Sequence, residues 1–233
     1  MTLSPQKGTQ VTTIAPIETE YAGHRFRSRL EARWCVFFNS LGIRWEYEPQ
    51  GYEIGPEGSR RRYLPDFYLP TLGTWVEVKG DPMHLDLQLL GDAVHPKTGL
   101  GRPNPYYETT VLILGPIPEP GSAHLHWMVS QQGYAPCDQF CACADVQYSQ
   151  VAFLAAPKYI TPDMGGTELL QDWELAALPD LGAVIYQSGR SRLKPQIADL
   201  TRSQETGIVP ISRRVDEAYT AARRARFEHG ESP

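Results

Sequence analysis

The stretch from Tyr63 to Gly80 restricts the fold of this chain most, because it contains two short runs of aromatic and β-branched residues. A short segment with Pro and Gly separates the runs, and this composition predicts a β-hairpin. If the turn is centred between Thr71 and Leu72, Asp66 lies directly opposite Glu77. Opposed residues have Cβ atoms about 4.5–5.5 Å apart and point to the same face of the sheet.

Side chains alternate along a strand, so Lys79 is expected on the same face as Glu77, with Val76 and Val78 facing the core. Two carboxylates and an ammonium group would then converge on one patch. Opposed carboxylates repel each other unless a cation neutralises them. Mg²⁺ suits such a pair, because it is commonly held by one or two carboxylates together with substrate phosphate. The alternative is a surface hairpin with a cross-strand charge cluster.

A helix is predicted to begin at Ser28 and to end at Gly42, with an apolar stripe along one side. Glu31, in its first turn, has two interpretations. Ser28 and Glu31 match a capping box, in which the carboxylate binds the backbone amide of Ser28. Alternatively, Glu31 projects over the sheet and joins the metal ligands, which the neighbouring hairpin favours.

Pro65-Asp66, a short spacer and Glu77-Val78-Lys79 together resemble the signature of the PD-(D/E)XK nuclease superfamily. The segment from Ser28 to Trp34 is similar to the helix that supplies a further acidic ligand in many members. The resemblance covers about residues 24–115. It implies an α/β fold with a restriction-endonuclease-like core: a helix, a three-stranded antiparallel meander, a helix and a further strand in a mixed sheet. A C-terminal extension ending in a helix would follow.

The resemblance also implies a function: a Mg²⁺- or Mn²⁺-dependent deoxyribonuclease that hydrolyses phosphodiesters by in-line attack of a metal-activated water. Asp66, Glu77 and the backbone carbonyl of Val78 would be metal ligands, and Glu31 would complete the shell. Lys79 would lower the pKa of the water or stabilise the developing charge. Exonuclease, endonuclease and junction resolvase activities all stay open, as does RNA as substrate. Small nucleases of phages and mobile elements are also similar.

A second function class stays open beside the enzyme. A nuclease core can serve as a non-catalytic scaffold that binds nucleic acid or protein, and the acidic second half could bind a partner protein. The presence of all three residues Asp66, Glu77 and Lys79 favours the enzyme.

Three segments are expected: a mobile arm over residues 1–20, the nuclease core over 21–120 and the extension over 121–233, whose last helix spans 212–229. The net charge of −5 over 233 residues argues mildly against a dedicated DNA-binding protein. Arginines nevertheless flank the proposed site and are candidates for DNA contacts, or else belong to a solvated loop: Arg27, Arg60, Arg61 and Arg62. No apolar run approaches the ~20 residues of a membrane span, so a cytoplasmic protein is expected.

Asp81 is predicted to cap a helix that starts at Pro82 and follows the lysine. In the family this helix often carries a further polar active-site residue. His84 and Gln88 are the candidates here, and the alternative for each is an exposed helix residue.

Three cysteines lie close together in the second half, at Cys137, Cys141 and Cys143, and with His126 they could form a tetrahedral zinc site. Their spacing departs from the usual zinc-binding pairs, so the absence of any metal there is an equal alternative. An iron–sulfur cluster, as in CRISPR-associated exonucleases, is discounted because the spacing does not match. Cys35, in the first helix, is expected to be a small core residue.

Overall fold

The computed structural model describes residues 16–101, 109–131, 146–157, 181–191, 196–206 and 213–227. Residues 1–15 of the expected arm and the three cysteines at 137, 141 and 143 lie outside these ranges. Residues 19 and 20, also assigned to the arm, belong to the first strand.

The described elements make this a mixed α/β protein. They follow one another in this order: β1 (Thr19–Tyr21), β2 (His24–Phe26), α1 (Arg29–Leu41), β3 (Glu46–Tyr47), β4 (Tyr52–Ile54), β5 (Arg61–Tyr63), β6 (Phe67–Leu69), β7 (Thr74–Val78), a 3₁₀ turn (Pro82–His84), α2 (Leu87–Ala93), β8 (Thr110–Leu114), β9 (Ala123–Gln131), β10 (Val146–Pro157), β11 (Leu181–Ser191), α3 (Ile197–Leu200), β12 (Gln204–Thr206) and α4 (Arg213–Arg224).

Eight of the described strands form one sheet, in the order β11-β10-β9-β8-β7-β6-β3, with β12 paired to β9. The sheet is mixed: β7 and β8 are parallel, and the other neighbours are antiparallel. Strands β1 and β2 form a separate hairpin, as do β4 and β5. Along the chain, α1 is therefore followed by the antiparallel strands β3, β6 and β7, then by α2, then by β8 beside β7.

The hairpin of β6 and β7 has the register that its sequence predicts. Phe67 is paired with Val76, and one further step along this register places Asp66 opposite Glu77. The backbone N–H of Asp66 donates to the carbonyl of Val76 at 3.1 Å. Val76 and Val78 face the apolar core, as expected.

Helix α1 begins and ends where its sequence predicts. The Ser28 hydroxyl accepts from the backbone N–H of Glu31 at 3.2 Å, and Gly42 has the left-handed conformation (φ 69°) that terminates helices. The apolar stripe of α1 is buried against the sheet; its members include Trp34, Phe37, Phe38 and Leu41.

The helix expected after the lysine is instead divided in two. Asp81 caps only the 3₁₀ turn, and Asp86 caps α2 by accepting from the N–H of Leu89 at 2.8 Å. Leu85 and the first residue of α2 are both buried. Residues two apart on a continuous helix point about 200° apart and cannot share a buried side, whereas the extended link at Leu85 allows both to be buried.

The second half of the chain continues the first. The boundary expected at residue 120 falls between β8 and β9, which pair in the main sheet. The helix predicted over residues 212–229 is present as α4 but ends at Arg224, since residues 225–227 are not helical. It packs on α1: the rings of Phe37 and Tyr219 are stacked with centroids 4.6 Å apart. One core therefore joins α1, the sheet and α4.

No helix among the described residues combines the length and the hydrophobicity needed to cross a lipid bilayer.

Candidate active site

The opposed carboxylates of Asp66 and Glu77 lie where β6 and β7 run side by side. Their residues are buried, with exposed fractions of 1% for Asp66 and 8% for Glu77. The carboxylates are therefore buried rather than on the surface of the hairpin, while the cross-strand cluster of Asp66, Glu77 and Lys79 is present. Because a buried carboxylate is costly unless it is paired, the partners of each oxygen define what the site can do.

Both oxygens of Asp66 have partners. Oδ1 accepts from Nη2 of Arg27 at 2.7 Å, and Oδ2 accepts from the backbone N–H of Val78 at 2.6 Å. The ammonium nitrogen of Lys79 lies 3.8 Å from Oδ2. Asp66 is thus bound both by a backbone amide and by two cationic side chains.

Glu77 has one cationic and one neutral partner. Oε1 lies 2.7 Å from Nζ of Lys79, and Oε2 accepts from the hydroxyl of Tyr63 at 2.8 Å. Lys79 also donates to the backbone carbonyl of Val78 at 3.3 Å. The structure therefore brings together four residues that the sequence placed in one site: Asp66, Glu77, Val78 and Lys79.

Burial and neighbouring charges shift the ionisation of two groups in the site. Burial raises the pKa of Asp66 to about 7, and the charge of Glu77 adds to this rise, against the opposing effects of Lys79 and the Val78 amide. Burial lowers the pKa of Lys79, but its attraction to Asp66 and Glu77 outweighs burial, so that pKa is raised. Both shifts follow from burial and from the charges of the neighbouring groups.

Glu31 is not in contact with the other two carboxylates. Its Oε1 accepts from the hydroxyl of Ser28 at 2.8 Å, and its Oε2 accepts from the hydroxyl of Tyr47 at 2.7 Å and from the backbone N–H of Arg27 at 3.1 Å. Only the Ser28 half of the capping box is present, because the carboxylate binds the amide of Arg27 rather than that of Ser28.

In the part of the chain that the structure describes, no three His, Cys, Asp or Glu side chains lie close enough together to hold a metal ion between them. The site thus offers two carboxylates, with Glu31 outside them.

Two of the four candidate DNA-binding arginines have carboxylate partners. Arg27 binds Asp66 and also places its Nε 2.5 Å from Oε1 of Glu48. Arg61 lies 2.6 Å from Asp86 and 3.1 Å from Asp92, so it joins the β4–β5 hairpin to the region of α2.

Arg60 and Arg62, by contrast, are exposed, as are His84 and Gln88. Gln88 donates to Asp92 at 3.3 Å on its own helix. The structure does not bring His84 or Gln88 to the carboxylates, and their exposure agrees with the simpler of their two interpretations.

His126 is a core residue in this structure. It is 3% exposed, its Nε2 lies 2.9 Å from the hydroxyl of Tyr219, and its ring meets Trp34 edge-on. Burial lowers its pKa to about 3, with a smaller effect from His124. Its Nε2 is therefore already bonded to Tyr219, and the cysteines expected to share a zinc ion with it lie outside the described residues.

Cys35 is buried in α1, as expected, and burial raises its pKa to about 12.

Tyr63 and Tyr47 complete the site, and sequence reasoning missed both. Tyr63 is the last residue of β5, and its hydroxyl donates to Glu77 on β7. Tyr47 lies on β3, and its hydroxyl donates to Glu31. The alternation around Tyr47 offered a signal, since it puts Tyr47 on the opposite face from Glu46 and Glu48. For Tyr63 the signal was the hairpin of β4 and β5, which turns its side chain towards β7.

Comparison of the chain with models of protein families, with curated proteins and with solved structures found no match. What the site can do chemically follows from its own groups: two buried carboxylates, an ammonium group between them and a half-exposed guanidinium at the edge.

Proposed function

We propose that this protein is a metal-dependent nuclease of the PD-(D/E)XK type, which hydrolyses phosphodiester bonds of DNA with Mg²⁺ or Mn²⁺. The observation that carries the proposal is the position of Lys79, whose Nζ lies 2.7 Å from Glu77 and 3.8 Å from Asp66. Such a site needs a pair of metal-binding carboxylates and a fixed positive charge. Asp66 and Glu77 would provide the first, and Lys79 would provide the second.

The residues present fit a divalent cation held by few protein ligands. Asp66, Glu77 and the carbonyl of Val78 would hold it, and two carboxylates are enough for Mg²⁺, which keeps several waters and binds substrate phosphate. When bound, the ion would supply a Lewis acid for the phosphate and lower the pKa of a water molecule. Glu31 would act from outside this set, by fixing the backbone at Arg27.

Lys79 has the main role among the chain's own groups. With a metal ion bound to Glu77, Lys79 would no longer be needed to neutralise that carboxylate. Its charge would stay beside the site, where it can stabilise the negative charge that develops on the phosphate in the transition state. The backbone of Lys79 is held in the sheet, since its N–H donates to the carbonyl of Leu114 at 2.9 Å. Its position therefore depends on the pairing of β7 with β8.

The order of elements around the site supports the proposal. Helix α1, the antiparallel strands β3, β6 and β7, helix α2 and the parallel strand β8 follow one another as the resemblance to restriction-endonuclease-like cores implies. Glu77 lies on β7, in the middle of this set, and Asp66 is the residue that enters the neighbouring strand β6.

The test is cleavage of linear duplex, circular duplex, single-stranded and four-way-junction DNA, together with an RNA of the same sequence, in Mg²⁺ or Mn²⁺. We expect Lys79→Ala to cut about 10²–10³-fold more slowly than the parent, because it removes a preorganised charge from the transition state. The substrate that is cut would separate exonuclease, endonuclease and resolvase activities. Lys97→Ala is the matched control, since Lys97 is exposed and outside the site.

The proposal fails if Lys79→Ala cuts as fast as the parent, or if the folded parent cuts none of the substrates. Circular dichroism of each variant ensures that a loss of cutting is not a loss of fold.

A non-catalytic scaffold for nucleic acid or protein is the second candidate. The observation that favours it is that Arg27 and Lys79 already neutralise the carboxylates without any metal ion. Calorimetric titration with Mn²⁺ separates the two functions. A nuclease binds the ion and loses binding in Asp66→Asn, whereas a scaffold binds DNA or protein equally well with or without it.

A further inference from the structure

The four oxygens of Asp66 and Glu77 have partners of two kinds. One oxygen of each carboxylate accepts from a buried neutral donor, the Val78 amide or the Tyr63 hydroxyl. The other oxygen of each is bound at 2.7 Å by a cationic side chain, Arg27 or Lys79, and Lys79 also lies 3.8 Å from the amide-bonded oxygen of Asp66. A divalent cation that enters this site must therefore compete with the cationic partners, since the neutral donors are fixed in the backbone and the core.

Arg27 is the more exposed of the two cationic partners. Its side chain is 54% exposed, against 28% for Lys79, and it binds a carboxylate that is only 2% exposed. Arg27 lies in the short link between β2 and α1, outside any regular element. Its guanidinium group therefore covers Oδ1 of Asp66 from the solvent side, where an ion would arrive.

The backbone of Arg27 is anchored independently of its side chain. Its N–H lies 3.1 Å from Oε2 of Glu31 and 3.0 Å from the hydroxyl of Tyr47. The side chain can consequently leave Asp66 while the link before α1 stays in place. The same anchoring means that a substitution at Arg27 preserves the local backbone.

The guanidinium group of Arg27 could bind a phosphate once it leaves Asp66. Its Nε lies 2.5 Å from Oε1 of Glu48 and forms an ion pair with it, whereas the contact with Asp66 is made by Nη2. Release from Asp66 thus frees the end of a planar guanidinium group beside the site. This group matches the oxygens of a phosphate in shape and charge.

We propose that Arg27 is a displaceable counter-ion, which neutralises Asp66 in the metal-free protein and contacts the substrate phosphodiester once a divalent cation has taken its place. The proposal rests on the metal-dependent function proposed above. It gives Arg27 two opposite effects, since the side chain competes with the cation and favours the nucleic acid.

Arg27→Gln tests both effects. Mn²⁺ binding is measured by calorimetry in the absence of DNA. Binding of a short DNA duplex is measured by fluorescence anisotropy in Mn²⁺, and every protein in this second assay also carries Lys79→Ala to prevent cutting. We expect Arg27→Gln to bind Mn²⁺ about tenfold more tightly, because the ion no longer competes with a guanidinium group. We expect it to bind DNA about tenfold more weakly, because the phosphate loses one charge-assisted hydrogen bond.

Arg25→Gln is the matched control. Arg25 is two residues away, is 70% exposed and pairs with Glu18 in the β1–β2 hairpin. Arg25→Gln changes the net charge by the same amount as Arg27→Gln. We expect its affinities for Mn²⁺ and for DNA to stay within twofold of the parent. An equal effect of both substitutions would mean that net charge alone is responsible, and would overturn the proposal.

Each part of the proposal can also be overturned separately. Unchanged or weaker Mn²⁺ binding in Arg27→Gln would overturn the counter-ion role, and unchanged DNA binding would overturn the phosphate contact. A parent that binds Mn²⁺ and cuts DNA while Arg27→Gln behaves identically would remove this inference and leave the nuclease intact. A parent that binds no Mn²⁺ would remove both.

Discussion

The hydroxyl of Tyr63 donates a hydrogen bond of 2.8 Å to Oε2 of Glu77, and it joins two strands that do not pair with each other. Tyr63 ends β5 in the small hairpin, whereas Glu77 lies inside β7 of the main sheet. The phenol is buried, and burial raises its pKa well above the usual value, with a further rise from Glu77. This bond fixes the orientation of a carboxylate from outside the sheet that carries it.

Tyr63→Phe removes that bond and keeps the ring in the core. We expect a loss of about 1–3 kcal/mol in the free energy of unfolding, because one buried carboxylate oxygen loses its donor. If Glu77 binds a metal ion, the affinity of Tyr63→Phe for Mn²⁺ should also fall about tenfold or more, because loss of a group that orients a metal ligand weakens metal binding. Urea unfolding and calorimetry measure the two effects.

Tyr52→Phe is the control for Tyr63, since Tyr52 is paired with it across the hairpin and is only partly buried. Equal losses in both variants would mean that the Tyr63–Glu77 bond has no special role.

Metal binding should release a proton from Asp66. With a pKa of about 7, this carboxyl group is largely protonated near pH 6 and largely ionised near pH 8. A ligand must be deprotonated to bind a metal, so Mn²⁺ binding should release close to one proton near pH 6 and close to none near pH 8. Below about pH 7 the affinity should therefore fall towards tenfold per pH unit.

Calorimetry in buffers of different ionisation enthalpy counts these protons. Glu53→Gln, which alters an exposed carboxylate on β4, should leave the count unchanged. A count that does not vary between pH 6 and pH 8 would contradict the role given to Asp66.

His126 should make the fold sensitive to acid. Its pKa is about 3 in the folded protein and about 6.5 in an unfolded chain. Between these values the unfolded chain binds a proton that the folded protein does not. The free energy of unfolding should therefore fall as the pH drops below about 6.5, by at most about 1.4 kcal/mol per pH unit from this residue.

His126→Gln removes this titration and retains a polar partner for Tyr219, so its stability should depend less on pH between about pH 6 and pH 4. Urea unfolding at several pH values measures the slope, with the exposed His84→Gln as control. Parallel slopes for the parent and His126→Gln would show that His126 does not carry the effect.

Local patterns in the sequence predicted the parts of the fold that local interactions determine. Side-chain alternation and a short turn specify the register that opposes Asp66 and Glu77, because a slip of one residue would turn every side chain to the other face. Ser28 and Gly42 bound α1 through hydrogen bonds and backbone conformations within a few residues of each helix end. The division of the helix after Lys79 was missed, because it depends on which leucines the core buries.

The contacts between distant residues could not be predicted in this way. Arg27 meets Asp66 across 39 positions in the chain, and Tyr63 meets Glu77 from another sheet. Each pairing depends on the path of the whole chain, which no short window contains. The same holds for the second half of the chain, whose strands extend the main sheet and whose side chains share the core of the first half.

The packing of α4 on α1 bears on how the core is completed during translation. Phe37 and Trp34 of α1 lie against Tyr219, which belongs to the element synthesised after all the others described. A nascent chain that has produced both carboxylates and the lysine, but not yet residues 213–224, lacks the contacts of Tyr219 with these two aromatic side chains of α1. The last described helix therefore completes the core beside α1.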